Sequence, residues 1–323
     1  MAADRRSPIA AIRPHGRTSI VAISQLHNMH LQYVLITPAR NEAAFIEKTI
    51  QSMIQQTALP VKWVIVNDGS TDETAGIVNR YLPHYSWMEM VEMPARTDRS
   101  FAAKVHSFNA GFDRVRDLAY QIIGNLDADI SFDKYYFEFL LEKFSQDTRI
   151  GVAGTGYTEG GIIAKYSYKD VAGQCQIFRR ECFEDIGGYF PSKYGGVDWI
   201  AVRTARMKGW KTITFREKRF SHHRLMGTAE SDPWRSKIHY GKKDYFLGNH
   251  PLWQCFRVLY QMTRKPYVLG GLLLLYGYTW AFVSRMKRPI SQELIDFNRK
   301  EQLERIKLTL GGLLKFKMKV FET

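Results

Sequence analysis

Three short apolar runs, each closed by a polar cluster, constrain this chain most. Tyr33–Thr37 is followed by Pro38, Arg40 and Glu42; Val61–Val66 by Asn67-Asp68-Gly69-Ser70; Gln121–Leu126 by Asp127-Ala128-Asp129. Runs this short and apolar read as buried strands. Between the first two, Ala43, Ile46, Ile50, Met53 and Ile54 recur at helical spacing within Glu42–Gln56. Thr71-Asp72-Glu73 opens a second helix, with acid in its first turn. Trp87–Met93 predicts a third strand, and Val105–Tyr120 and Phe132–Phe144 predict further helices. Alternation at this spacing predicts βαβ units and a mainly parallel sheet with flanking helices. Ligands of such sheets bind beyond the carboxyl ends of the strands, where the polar clusters lie. No GxGxxG or GxxxxGK[ST] follows a strand, which excludes a dinucleotide fingerprint and a P-loop.

The clusters have chemistry of their own. Two carboxylates on alternate residues at a strand end, Asp127 and Asp129, can reach one hard cation. Such a cation bridges diphosphate oxygens and neutralises a leaving group. The competing reading is a turn in which Asp129 or Ser131 caps the next helix. Asp68 can accept hydrogen bonds from a nucleobase or ribose, or close an Asx turn in NDGS.

Taken together, Thr37-Pro38-Ala39-Arg40-Asn41-Glu42, Val66-Asn67-Asp68-Gly69-Ser70-Thr71-Asp72, Asn109-Ala110-Gly111 and Leu126-Asp127-Ala128-Asp129 resemble glycosyltransferase family 2. The resemblance covers residues 32–225. It implies an α/β GT-A fold, Rossmann-like, that uses nucleotide-diphosphate sugars. It further implies that Pro38, Arg40, Glu42 and Asp68 line the nucleotide pocket, that Lys104 and Asn109 lie near the nucleotide or its phosphates, and that Asp127 and Asp129 hold Mg²⁺ or Mn²⁺. Lys104-Val105-His106-Ser107 departs from the glycine- and alanine-rich run usual there.

The second half carries matching segments. Gly173–Phe178, Arg179-Arg180-Glu181 and Ile186-Gly187-Gly188-Tyr189 resemble the family's acceptor side, and Gly187-Gly188 suits the end of a short helix. Asp198 precedes or opens a helix over Ile200–Lys208. Its role is either an N-cap or, as the resemblance implies, the general base that deprotonates an acceptor hydroxyl. One base opposite a leaving group implies single displacement with inversion. Trp199 offers a wall for sugar or acceptor, or core packing. His222 and His223 follow the strand Lys211–Phe215 and a basic link. The resemblance places a third metal ligand there, and adjacent residues in an extended segment point opposite ways. Arg224 is suited to phosphate oxygens. Met226–Lys243 reads as a loop able to close over the site.

Charge separates the remaining parts. Of a net +14, residues 1–30 hold +3 and residues 264–323 hold +7, which leaves +4 for the body between them. Excess at the ends, with acids gathered at strand ends, opposes a nucleic-acid-binding domain. Residues 1–30 read as a disordered leader, or as sequence upstream of a start at Met29; their apolar run is too short for a secretory signal. Residues 226–263 read as a loop and connecting helical region. Residues 264–323 read as a membrane-associating segment: Tyr267–Val283 is uncharged for 17 residues, where a span needs about 20 and at least roughly 17. Basic residues on both flanks favour a re-entrant or interface-lying helix over a span. Ser291-Gln292-Glu293 opens an amphipathic helix that stops at Gly311-Gly312, and Lys315–Val320 alternates cation and apolar side chain in a pattern suited to anionic lipid. Cys175, Cys182 and Cys255 form no CxxC pair, which excludes a zinc ribbon and fits a reducing compartment.

The expected protein is an inverting, metal-dependent glycosyltransferase at the cytoplasmic face of the cell membrane, acting on a hydroxyl of a lipid-linked or membrane-proximal glycan. The alternatives are a polyprenyl-phosphate sugar synthase, whose phosphate acceptor needs no strong base, and a non-catalytic nucleotide or nucleic-acid binding module. Nucleotide, sugar, linkage and oligomeric state leave no motif.

Overall fold

The computed structural model describes residues 31–95, 101–164, 167–192, 194–224 and 233–321. The leader 1–30 lies outside these residues, as do 225–232 of the expected loop. Strand β1 (Tyr33–Ala39) lies between β2 (Lys62–Asn67) and β4 (Ile122–Leu126), parallel to both, and β3 (Met88–Glu92) is parallel to β2 on its far side. Period-two alternation sends the side chains of these strands into two cores. Tyr33, Leu35, Trp63 and Ile65 face helices α1 (Ile46–Ile54), α2 (Thr74–Tyr81) and α4 (Tyr136–Gln146). Val34, Ile36, Val64 and Val66 face α3 (Phe101–Phe112), α5 (Arg180–Asp185) and α6 (Val197–Met207). Burial on both faces is why the strands read as unbroken apolar runs.

The other half of the sheet mixes directions. Strand β8 (Cys175–Arg179) is antiparallel to β4 and to β6 (Ile150–Glu159). Strand β9 (Lys211–His222) runs parallel to β6, and the two-residue β5 (Ile130–Ser131) closes the edge antiparallel to β9; β7 (Ile162–Ile163) pairs with the end of β6. The order is β3-β2-β1-β4-β8-β6-β9-β5. Strand β9 therefore continues through the stretch expected as a basic link. Pairing with β6 explains this, because the register shifts between Thr155 and Gly156 and then resumes at Arg219 to His222.

Helices α7 (Pro233–Phe246), α8 (Pro251–Met262), α9 (Tyr267–Val283) and α10 (Gln292–Phe321) follow. Part of the expected loop is thus helical. Helix α10 also runs past the expected stop, since Gly311 does not take the left-handed φ of a terminating glycine. Among the described residues no helix is long and apolar enough to cross a membrane. Helix α9 instead packs on α7 at two glycines: a Cβ on Gly277 would collide with the Ile238 carbonyl oxygen, and one on Gly241 with the Leu274 carbonyl oxygen. Gly277→Ala is expected to destabilise the protein by about 1–3 kcal/mol, because backbone must move to admit the methyl group; thermal denaturation measures it. Helix α10 docks through Leu294 and Ile295 against Ile200, Phe246 and Leu247.

Candidate active site

The loops after β1 and β2 are tied together. Asn41, at a φ of 54°, accepts a hydrogen bond from the Thr71 amide (2.8 Å), and its own amide donates to Ser70 Oγ (3.0 Å). The Glu42 amide donates to Thr74 Oγ1 (2.8 Å). The Asx turn in NDGS belongs to Asn67, whose Oδ1 accepts from the Ser70 amide (3.1 Å). Gly69 is required in that turn: its φ is +64°, and a Cβ would lie 2.7 Å from the Ala95 Cα. Asp68 is buried, with its amide on the Ala39 carbonyl (2.8 Å).

Beyond β4, the two aspartates lie in different surroundings. Asp127 Oδ1 receives Lys104 Nζ (2.5 Å) from α3 and Asn125 Nδ2 (3.1 Å). Asn125 also donates to the Gly173 carbonyl (2.7 Å). Asp129 Oδ2 lies 3.3 Å from His222 Nε2 and 3.5 Å from Arg224 Nε. Arg224 Nη2 reaches Glu42 Oε2 at 2.5 Å, so the β1 end, the β4 end and the β9 end meet at one guanidinium. His222 Nδ1 lies 3.0 Å from Glu159 Oε2, its register partner on β6. His223 points elsewhere: Nε2 lies 2.9 Å from Ser131 Oγ, and its ring stacks on Phe45. Only one of the adjacent histidines therefore faces Asp129, as an extended strand requires.

Electrostatics separates the pair further. Burial and the Asp129 charge push the Asp127 carboxyl up, against Lys104. At Asp129 burial also acts upward, but His222, Arg224 and Lys104 outweigh it and hold the carboxyl low. Burial disfavours the Lys104 ammonium, yet Asp127, Asp198 and Asp129 keep its pKa above the usual lysine value. Burial and Asp129 push Glu42 up to about 7 despite Arg224. The cluster is thus a set of buried charges that compensate one another.

Asp198 lies in the first turn of α6, after Gly196 at a φ of +80°. Its carbonyl accepts from Gln176 Nε2 (3.4 Å), whose Oε1 accepts from the Tyr189 hydroxyl (2.8 Å). Gly173 sets the side chain's position, since a Cβ there would fall 2.8 Å from Asp198 Cβ and 2.9 Å from Oδ2. A cavity of about 310 Å³ is lined by Lys104, Asn125, Asp127, Asp198 and His222, among others. Gly173→Ala is expected to shift the carboxylate and, with Asp198 as the expected base, to lower turnover by about 10²-fold, the usual penalty for a catalytic group misplaced by an ångström, with binding of the expected nucleotide sugar changed far less. Steady-state kinetics beside a binding titration separates the two effects.

The structure brings Glu42, Lys104, Asp127, Asp129, Asp198, His222 and Arg224 to one end of the sheet. Pro38 and Arg40 lie at the β1 end, half-buried. Asn109 lies one turn beyond Lys104 on an exposed face of α3 and does not line this cavity. Trp199 packs partly against the α10 core, carries the Arg203 guanidinium over its ring at 5.1 Å, and faces a second cavity. Sequence reasoning missed Asn125, Glu159, Gln176 and Lys243. Asn125 was open to discovery as a polar residue inside an apolar strand.

This sheet with acids at its carboxyl edge is the GT-A arrangement. Residues 34–190 match the model of Glycosyl transferase family 2. The likeness to that family is carried by this segment. A stretch of 103 residues is 35% identical to the 4,4'-diaponeurosporenoate glycosyltransferase of Staphylococcus aureus, covering 32% of this chain and 25% of that protein. The chain thus spans about a quarter of that curated relative's length. Among solved structures, the mannosyltransferase PcManGT from Pyrobaculum calidifontis, in complex with GDP-Man and Mn²⁺, superposes with a TM-score of 0.51 at 17% identity, over 90% of this chain and 81% of that one. Staphylococcus aureus TarS in complex with UDP-GlcNAc gives a TM-score of 0.53 at 13% identity, over 83% and 78%. These likenesses are of fold.

Proposed function

We propose that the protein is an inverting glycosyltransferase that moves a sugar from a nucleotide-diphosphate sugar to a hydroxyl of a lipid-linked or membrane-proximal glycan. The observation that carries this is the meeting of Asp127, His222 and Asp198 around one cavity, with Lys104 between the acids. Asp198 takes the proton of the attacking hydroxyl as the new bond forms on the face opposite the leaving diphosphate. Gly173 leaves room for that carboxylate, Gln176 bonds the Asp198 main-chain carbonyl, and Lys104 supplies positive charge near the phosphates.

The residues suit a divalent cation. Among the described residues no ready-made cluster of three or more ligands exists. Asp127, Asp129 and His222 would nonetheless supply the donor types, two carboxylates and an imidazole, that Mn²⁺ or Mg²⁺ takes. The Glu159 carboxylate on His222 Nδ1 leaves Nε2 for the ion, a typical arrangement behind a ligating histidine. When bound, the ion neutralises charge on the departing diphosphate.

Membrane association is supported by the exposed Leu259, Tyr260, Tyr276, Trp280 and Phe282 on α8 and α9, flanked by Arg264, Lys265, Arg285, Lys287 and Arg288. We place this face on the cytoplasmic side of the cell membrane.

A panel of nucleotide sugars, screened by thermal shift with and without Mn²⁺, tests the reading. At least one is expected to raise Tm only with Mn²⁺, because a ligand at 100 times its Kd adds about 2.7 kcal/mol; Asp129→Asn is expected to abolish the rise. No stabilisation by any nucleotide sugar, with tight salt-sensitive DNA binding instead, contradicts it.

A further inference from the structure

Beside the first cavity lies a second, of about 640 Å³, between α6 and the C-terminal helices. Asp198 and Lys243 line both, so the two cavities meet at the residue assigned as base. Its α7 wall is a helical stripe of Lys237, Tyr240, Lys243 and Asp244, with Leu247 just past the helix end. Five cations line the cavity against three carboxylates. Two of the carboxylates are already engaged: Asp170 with Arg203, Arg206 and Arg305, and Asp244 with Arg257 Nη1 at 2.5 Å. Among the described residues Lys237 donates only to the neutral Gln261 Oε1 (3.2 Å). Among the described residues neither Lys237 nor Lys243 has a carboxylate within ion-pair distance, although both are half-buried. Burial, with Arg257 nearby, pulls Lys237 below the usual lysine pKa, as befits an ammonium lacking a counter-ion. The Lys243 stem lies against Gly196, where a Cβ would come within 3.3 Å of its Cε, so the ammonium stands at the entrance to α6 beside Asp198.

The remaining walls combine apolar and aromatic side chains with the carboxamides of Asn249, Gln261 and Gln302. Leu247 and Leu274 lie inside, while Tyr240 and Tyr260 line the cavity and are also 44% and 60% exposed. The cavity therefore reaches the same surface as the exposed side chains of α8 and α9. The cations and the apolar side chains together suit an occupant that combines an apolar body with a negative group.

We propose that this second cavity is the acceptor site and that it takes an anionic amphiphile, an apolar chain carrying a phosphate or carboxylate, whose charge is held by Lys237 and Lys243 while its hydroxyl is presented to Asp198. This rests on the transferase reading for the hydroxyl step, but the binding site itself does not. Isothermal titration of the full chain with octyl phosphate, octanoate, octanol and inorganic phosphate tests it. Octyl phosphate or octanoate is expected to bind at least tenfold more tightly than octanol, and octyl phosphate tenfold more tightly than inorganic phosphate. Lys237→Gln and Lys243→Gln are each expected to shrink the anion-to-octanol ratio about fivefold or more, while Lys237→Arg retains it; a purely structural role would weaken all probes alike. Octanol binding as tightly as the anions, or an unchanged ratio in both glutamine variants, overturns the proposal. Equal binding of inorganic phosphate and octyl phosphate shows a free-anion site and overturns the amphiphile. Mn²⁺-dependent stabilisation by nucleotide sugar, measured on the same preparation, keeps the two readings apart: its loss with octyl phosphate binding intact sinks the transferase reading alone, and the converse sinks this one alone.

Discussion

Asp198→Asn is expected to lower kcat by about 10²–10⁴-fold, the range for removing a positioned general base. The amide keeps the shape of the carboxylate, so its packing against Gly173 survives and folding is preserved. What disappears is the ability to accept a proton. Donor binding is expected to persist, because Glu42, Lys104, Asp127 and Arg224, the residues proposed for the nucleotide side, stand on other elements. The Tm rise with nucleotide sugar and Mn²⁺ therefore remains while turnover collapses. A variant that kept full turnover would remove Asp198 from the mechanism. It would favour an acceptor that is already ionised, such as a polyprenyl phosphate.

Glu301→Gln is expected to cost about 3–5 kcal/mol of stability, the penalty for breaking a buried ion pair from one side. Glu301 on α10 bonds both Arg203 and Arg206 of α6; Arg206 Nε and Nη2 each reach it at 3.0 Å. These arginine side chains are only 6% and 8% exposed. Without the carboxylate, two buried guanidinium groups share Asp170 alone, with Arg305 also near it. Denaturant unfolding measures the loss. Because α6 also carries Asp198, the same change is expected to loosen the site, so turnover falls at temperatures well below the new Tm. A loss under 1 kcal/mol would show that α10 docks through Leu294 and Ile295 with little help from charge.

These two residues differ in how visible they are in the sequence. The strand ends were legible because each acid follows an apolar run directly, so Asp127, Asp129 and Asp68 could be placed at the sheet's edge before any coordinates. Asp198 was legible only as a choice between cap and base; its position against Gly173 depends on a contact between segments 25 residues apart. Glu159 and Glu301 were not legible. Glu159 meets His222 because β6 and β9 slip register between Thr155 and Gly156, which no local pattern records. Glu301 reads as one more charge on an amphipathic helix until α10 is laid on α6. The helix α7 was hidden for a related reason: Gly241 lies within it, and its glycine serves close packing on α9 rather than a turn. The glycine pair after Leu310 misled in the same way. Composition signals a break, while only packing and backbone angle decide one.

The charge that distinguishes this chain also divides by location. The excess outside the core lies toward the ends, but Lys237 and Lys243 show that unpaired cations also face the cavity beside Asp198. Local pairing, rather than net charge, separates cations that hold the fold together from those left for a ligand.

The central claim is single displacement at an anomeric carbon with Asp198 as base. The most direct measurement is the configuration of the transferred sugar, read from the anomeric proton by NMR on product made with a nucleotide sugar from the thermal-shift screen, Mn²⁺ and bacterial membrane lipid extract as acceptor. An anomeric configuration opposite to that of the donor is predicted. Retained configuration would contradict the account.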